Sequence, residues 1–255
     1  QAFEADKNRK KLQVTDTRVT VRGLPIQLRA APKLSGVSTA DIALLPRLPD
    51  TAEEVIGIAK VSKADLERDV FLGREATENK VKELNLSKYK VIVFATHGLM
   101  AGDLDGLTEP ALAMTSPAVS EEGGDGLLTL GEILALRLDA DWIVLSACNT
   151  GSADSETTEA MSGLARAFFY AGARALLVSN WPVETISAKK LTTDIFRRQA
   201  DQPGLSRAQA VRRSMVQLLN GPGYTDQNGK TLFSFAHPIF WAPFTLVGDG
   251  GTTVY

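Results

Sequence analysis

Residues 90–98 read KVIVFATHG, and residues 142–151 read WIVLSACNTG. Each stretch opens with a continuous apolar run that is typical of a strand buried on both faces of a parallel sheet. Each run then ends at one reactive side chain, His97 in the first and Cys148 in the second, with a glycine close behind. In open α/β sheets, ligands bind beyond the carboxyl ends of the strands. If the two strands are neighbours, His97 and Cys148 face each other across that edge of the sheet.

The sequence around these stretches predicts an α/β fold with a mostly parallel central sheet. An apolar stripe over 127–138 predicts the crossover helix that parallel pairing of the two strands requires. A second amphipathic helix is predicted over 161–169 and ends at Gly172, which suits the position after a helix. Further strands are predicted over 175–179 and 244–247, with two helices between them.

The beginning of the chain is less regular. Residues 1–40 hold a basic cluster and short apolar segments, which we interpret as a lead-in with a small hairpin or as the end of an upstream region. The α/β domain is expected to occupy residues 41–255. At its start we expect an irregular edge strand over 42–48, a helix opened by a capping box over 51–54, and a short strand over 70–73.

The composition restricts the classes of function. With 255 residues and a net charge of −2, the chain carries no electrostatic signature of binding to nucleic acid or to an acidic membrane. No apolar run approaches the roughly 20 residues that span a bilayer. The single cysteine excludes an internal disulfide and is typical of a reducing, cytoplasmic location. One cysteine and two histidines do not complete a tetrahedral metal site without carboxylates, and phosphate-binding glycine motifs are absent, so no metal or cofactor is expected.

His97 and Cys148 are the residue types that nucleophilic catalysis by a thiol requires. An adjacent imidazole lowers the pKa of a cysteine and later protonates the leaving group. His97 precedes Cys148 by 51 residues, about the length of one strand–helix–strand unit, which returns the chain to the same sheet edge. The backbone N–H groups of Gly98 and Cys148 could form an oxyanion hole. No carboxylate stands out as a third member, so the residues predict a dyad. The competing interpretation is structural, with a cysteine packed in the core and a hydrogen-bonded histidine at a strand end.

Several separate motifs together resemble the CHAT domain, a caspase-like family that is related to separase and often follows tetratricopeptide repeats in bacteria. The resemblance runs from about residue 45 to residue 248, with its motifs in the same order as in the family. The motifs are FATHG at 94–98, LSACNTG at 145–151, GLARAF at 163–168, WPV at 181–183 and FWAPF at 240–244.

The resemblance implies a caspase-like three-layer αβα sandwich and a cysteine endopeptidase that cleaves a protein or peptide substrate with His97 and Cys148. It also implies that residues before about 40 join a tetratricopeptide-repeat region, and we consider activation by a partner or by such an upstream domain as part of the hypothesis. Two alternatives remain: a catalytically silent interaction module with the same fold, and a thiol hydrolase acting on a small amide. The long loop over 99–128 suits a peptide groove better than a small-amide site.

In related folds, the loop after the third strand shapes the pocket for the residue before the cut. That loop contains Asn180, Trp181 and Glu184. We expect Glu184, together with Asp154 or Glu156, to favour a basic side chain of the substrate. The alternative is that Glu184 is a carboxylate at a helix start, stabilised by the helix dipole.

Overall fold

The structure is a computed structural model, and it describes residues 18–21, 24–29, 39–45, 47–146, 155–226 and 228–252. Its strands are β1 Arg18–Val21, β2 Leu24–Arg29, β3 Val91–Ala95, β4 Gly98–Leu99, β5 Ala111–Ala113, β6 Leu127–Thr129, β7 Trp142–Ser146, β8 Ala175–Ser179, β9 Val183–Glu184, β10 Tyr224–Thr225, β11 Thr231–Phe233 and β12 Phe244–Gly248. Its α-helices are α1 Asp50–Val61, α2 Glu78–Glu83, α3 Pro117–Ser120, α4 Leu130–Ala135, α5 Ser155–Ala171, α6 Thr185–Asp201 and α7 Arg207–Asn220. Short 3₁₀ helices cover Thr39–Leu44, Gly73–Glu75, Leu86–Lys88 and Pro238–Phe240.

A four-stranded sheet in the order β12-β8-β7-β3 forms the centre of the fold. β3, β7 and β8 run parallel to one another, and β12 pairs with β8 in the antiparallel direction. All five residues of β7 are buried, because this strand has a neighbour on each edge and helices on both faces. The sheet is therefore mostly parallel, as the unbroken apolar runs predict.

Helices cover the two faces of this sheet and give three layers. On one face, Trp142 and Val144 belong to a core cluster with residues of α1, α6 and α7. On the opposite face, Ile143 and Leu145 pack in a second cluster with residues of α4 and α5. Side chains along a strand alternate between faces, so one strand serves both cores. This arrangement is the caspase-like three-layer αβα sandwich, and the predicted fold class is confirmed.

The connection from β3 to β7 differs from the sequence-based prediction. A helix was expected over 127–138, but β6 occupies the beginning of that stretch and α4 covers only Leu130–Ala135. Thr129 starts α4 with a capping box that it forms with Glu132. β6 joins β4 and β5 in a small antiparallel sheet. In a strand, successive side chains point to opposite faces, so Leu127 and Leu128 pack in two different core clusters.

The N-terminal region contains the predicted hairpin. β1 pairs with β2, and β2 pairs with β9 of the main fold. The strand expected over 42–48 is wrong, because a 3₁₀ helix covers Thr39–Leu44. The strand expected over 70–73 is also wrong: that segment has no strand partner among the described residues and leads into a 3₁₀ turn. The division between residues 1–40 and 41–255 stays a prediction.

The predicted capping box at the start of α1 is not formed. The helix begins at Asp50, and the Thr51 hydroxyl donates to the Leu48 carbonyl oxygen at 2.7 Å. Glu54 instead points into the protein, where its side chain is completely buried. α2, in contrast, begins with a side-chain cap, since the Thr77 hydroxyl accepts a hydrogen bond from the Lys80 N–H.

Candidate active site

The carboxyl ends of β3 and β7 lie side by side. Their parallel register pairs Ala95 with Ser146, the last residue of each strand, and paired strands are about 4.8 Å apart. His97 follows Ala95 by two residues, as Cys148 follows Ser146. Cys148 lies in the segment 147–154, outside the described residues. The structure thus brings together the ends of the two strands that precede His97 and Cys148 in the sequence.

His97 is held between the central sheet and the small antiparallel sheet. Its carbonyl oxygen accepts a hydrogen bond from the Ala113 N–H at 2.9 Å, and the preceding Thr96 hydroxyl donates to the Ala113 carbonyl. Its side chain is only 4% exposed. Gly98 follows as the buried first residue of β4, opposite Leu112. The backbone on both sides of the imidazole is therefore fixed by strand pairing.

The buried carboxylate of Glu54 holds the end of β7 in place through hydrogen bonds. The Ser146 hydroxyl donates to Oε1 of Glu54 at 2.7 Å, and the Thr192 hydroxyl donates to the same oxygen at 2.9 Å. Glu54 thus links α1 and α6 to the strand that precedes Cys148. Sequence reasoning missed this role, although one signal was available. Glu54 stands four residues before the buried Ile58, and residues at that spacing share a helix face.

Asn180 and Trp181 stand on an exposed turn after β8. The Asn180 backbone N–H donates to the Pro243 carbonyl at 2.8 Å, and its side-chain amide donates to the Thr245 hydroxyl at 2.7 Å. These bonds tie the turn to β12. Trp181 is 38% exposed, so its indole is available to a ligand beyond the carboxyl ends of the strands.

Glu184 is placed differently from the sequence-based expectation of a substrate contact. It is 1% exposed, and it is the N-cap of α6. One carboxylate oxygen accepts from the Ile186 N–H at 3.1 Å and the other from the Ser187 N–H at 2.8 Å. The geometry favours the alternative interpretation, a carboxylate at a helix start, because both oxygens are used by the helix. Asp154 and the side chain of Glu156 lie outside the described residues.

Neither a metal centre nor a membrane-spanning helix is found in the part of the chain that the structure describes. No three His, Cys, Asp or Glu side chains in that part come together as a potential metal site. None of its helices has the length and apolar character needed to cross a bilayer.

Two curated relatives are similar to this chain over most of its length. Tetratricopeptide repeat protein 28 of Mus musculus is 26% identical over 229 residues, which covers 79% of this chain and 9% of the relative. The Homo sapiens protein of the same name is 25% identical over 272 residues, which covers 90% of this chain and 10% of the relative. The chain thus spans about a tenth of the length of these relatives.

The family comparison covers nearly the whole sequence. The model of the CHAT domain matches residues 4–249, a range that includes the strand ends carrying His97 and Cys148 and also the N-terminal hairpin. The chain belongs to the CHAT domain family.

Proposed function

We propose that this domain is a cysteine endopeptidase in which Cys148 and His97 form the catalytic dyad. The observation that carries the proposal is the parallel register of β3 and β7, which pairs Ala95 with Ser146 two residues before each candidate. Neighbouring parallel strands end at one edge of the sheet, where α/β proteins bind their ligands, and this supports the pairing of the two residues. Membership of a caspase-like family supports the same assignment.

The proposed reaction is acyl transfer through a thioester. His97 takes the proton of the Cys148 thiol, and the thiolate attacks the carbonyl carbon of the scissile peptide bond. The N–H groups of Gly98 and Cys148 donate to the oxyanion that develops on the carbonyl oxygen. When the C–N bond breaks, His97 protonates the departing amine. Water, deprotonated by His97, then hydrolyses the thioester and releases the carboxylic acid and the free thiol.

The proposed substrate is an extended segment of a protein. Trp181 and Asn180 are exposed on the turn after β8 and supply an apolar surface and a polar group beside the strand ends. Tryptophan is a common anchor residue in binding interfaces, because its large ring buries area at low entropy cost. The relatives named as tetratricopeptide repeat proteins support a role for an attached repeat region as partner or activator.

The first test is covalent labelling with a biotinylated peptide acyloxymethyl ketone, followed by mass spectrometry. Cys148 is the only cysteine of the chain, so labelling of the wild type should be complete and Cys148→Ala should show none. His97→Ala should slow labelling by about 100-fold or more, the usual contribution of a general acid–base group. Circular dichroism of both variants checks that they are folded.

Equal labelling rates in the wild type and in folded His97→Ala would contradict the dyad. Peptide-library cleavage then separates a peptidase from a silent interaction module. Cuts should appear with the wild type, disappear with Cys148→Ala and weaken with Trp181→Ala. If Cys148 is labelled in a His97-dependent way but the domain cuts no peptide or protein, either alone or joined to a tetratricopeptide-repeat region, the interaction module would be favoured.

A further inference from the structure

A large apolar groove runs along the outer edge of β3. Its volume is about 730 Å³. One wall is formed by α1, with Val55 and Ile58, and the other by Val81 of α2 and by Leu84, which follows that helix. The floor is β3 itself, from Val91 to Ala95, and Thr96 and His97 lie at the upper end. A groove with helices on both sides and a strand edge as its floor has the shape of a missing strand position.

The burial of β3 fits this interpretation. The sheet order places β3 at the end of the sheet, and no strand pairs with its outer edge among the residues that the structure describes. Four of its five residues are only half-buried, whereas all five residues of the neighbouring β7 are buried. Its sequence, VIVFA, is as apolar as that of a central strand. An apolar strand left at an open edge invites pairing with another chain segment, and proteins normally cover such edges.

The backbone of β3 is arranged to accept a further strand. The carbonyl oxygen of Lys90 accepts from the Trp142 N–H at 3.0 Å, so Lys90 directs its backbone groups toward β7. These groups alternate between the two edges along a strand, so those of Val91, Val93 and Ala95 point into the groove. Three residues thus present N–H and C=O groups where an added strand would lie.

We propose that this groove holds an extended strand of about five apolar residues, which pairs with β3 and completes the central sheet. Main-chain hydrogen bonds would supply part of the affinity. The side chains of the added strand would alternate between the α1 wall and the α2 wall, as Val93 and Ile92 of β3 do. A charged residue in the middle of the strand would be disfavoured, because it would face the apolar side chains of Val55 and Ile58 or of Val81 and Leu84.

The proposed occupant is a segment of a longer polypeptide that contains this domain, as the curated relatives contain the region matched here. The stretches of the sequence that are not described, chiefly 1–17, 30–38 and 147–154, contain no run of five consecutive apolar residues. The curated relatives, in contrast, are about ten times longer than their matched region. A strand supplied by the rest of the polypeptide would also fix the end of β3 that leads to His97.

The probe for this inference is a fluorescein-labelled peptide, Lys-Val-Ile-Val-Val-Ala-Lys, titrated against the protein while anisotropy is measured. We expect saturable binding, with slower hydrogen exchange of the Val91 and Val93 amides. A peptide with proline at its centre should bind at least tenfold more weakly, because proline cannot donate a hydrogen bond to the sheet edge. The readout does not depend on Cys148, so it is independent of the proposed peptidase activity.

Two variants complete the test. Val55→Lys places a charge in the α1 wall and should weaken binding at least tenfold, whereas Val216→Lys on the exposed side of α7 should leave it unchanged. Val93→Pro removes one N–H from the groove side of β3 and should also weaken peptide binding at least tenfold. Equal binding of both peptides, unchanged exchange at Val91 and Val93, or a peptide-free dimer paired through β3 would overturn the proposal.

Discussion

At the scale of single residues, Glu54 shows how a side chain acquires a role that its local sequence does not reveal. The motif around it predicts a capping box, yet the carboxylate is buried and accepts hydrogen bonds from Ser146 and Thr192. A buried carboxylate is costly unless donors satisfy it. The two hydroxyls come from β7 and α6, which lie 92 and 138 residues away along the chain.

Replacing Glu54 tests this network. Glu54→Leu removes the carboxylate that joins Ser146 and Thr192, although Thr192 keeps the Ala188 carbonyl oxygen at 2.9 Å as a second acceptor, so the free energy of unfolding should fall by about 2 kcal/mol. Glu54→Gln keeps an acceptor oxygen and should cost less. The neighbouring Glu53 is 72% exposed and pairs only with the surface residue Lys189 among the described contacts. Glu53→Leu should therefore change stability by no more than about 0.5 kcal/mol in urea unfolding. Similar losses for Glu53→Leu and Glu54→Leu would contradict the assigned role.

At the scale of elements, the sequence pattern predicted the long and strongly periodic segments well. The strands at β3, β7, β8 and β12 and the helix α5 lie where their apolar patterns indicate. The short elements were less predictable. The pattern over 127–138 does not separate a helix from a strand followed by a helix, because Leu127 and Leu128 fit either one. Only their packing against different clusters decides between the two.

The end of α5 offers a test at this scale. Gly172 has a φ of +113°, and a Cβ atom there would lie 2.2 Å from the Leu138 carbonyl oxygen. Gly172→Ala combines a left-handed backbone with a backbone clash and should lower the free energy of unfolding by about 3 kcal/mol. Gly204 also has a positive φ, +94°, but has no atom within 4 Å of that position.

Gly204→Ala is therefore the matched control, because it carries the backbone strain without the clash, and it should cost about 1 kcal/mol. Thermal unfolding followed by circular dichroism compares the two variants. If Gly172→Ala proved no more destabilising than Gly204→Ala, the close approach of Leu138 to the end of α5 would be refuted.

At the scale of the whole molecule, carboxylates with lowered pKa values connect stability to pH. A hydrogen bond from Arg68 lowers the pKa of Asp69, and one from Lys90 lowers the pKa of Asp139. For Asp194, burial acts to raise the pKa, but hydrogen bonds from neighbours that include Arg198 outweigh it, so the pKa is lowered overall. The three carboxylates lie in different parts of the chain, so their protonation affects the stability of the whole molecule.

The expected consequence is a loss of stability in acid. Because these groups have lower pKa values when folded, the unfolded chain binds more protons as the pH falls below about 4. Their contribution is present above that range and disappears as the pH falls through the folded pKa values. The urea midpoint should therefore decrease between about pH 5 and pH 3.

Asp194→Asn should reduce this decrease. The Asp194 side chain is only 13% exposed, and it pairs with two arginines of α6, Arg197 and Arg198. Asp201→Asn, on the exposed end of the same helix, should not reduce it. A midpoint that stayed constant over this pH range would contradict the assignment.

The sequence by itself determined the class of fold, the order of the long elements and the two strand ends that carry His97 and Cys148. It could do so because apolar periodicity is a local property, and because a polar residue after a buried strand is visible in the chain order. Only the tertiary structure decided that β3 and β7 are neighbours, that Glu54 links α1 and α6 to β7, and that no strand among the described residues pairs with the outer edge of β3. Those facts depend on contacts between residues far apart in the chain, and no local pattern specifies which distant partners will meet.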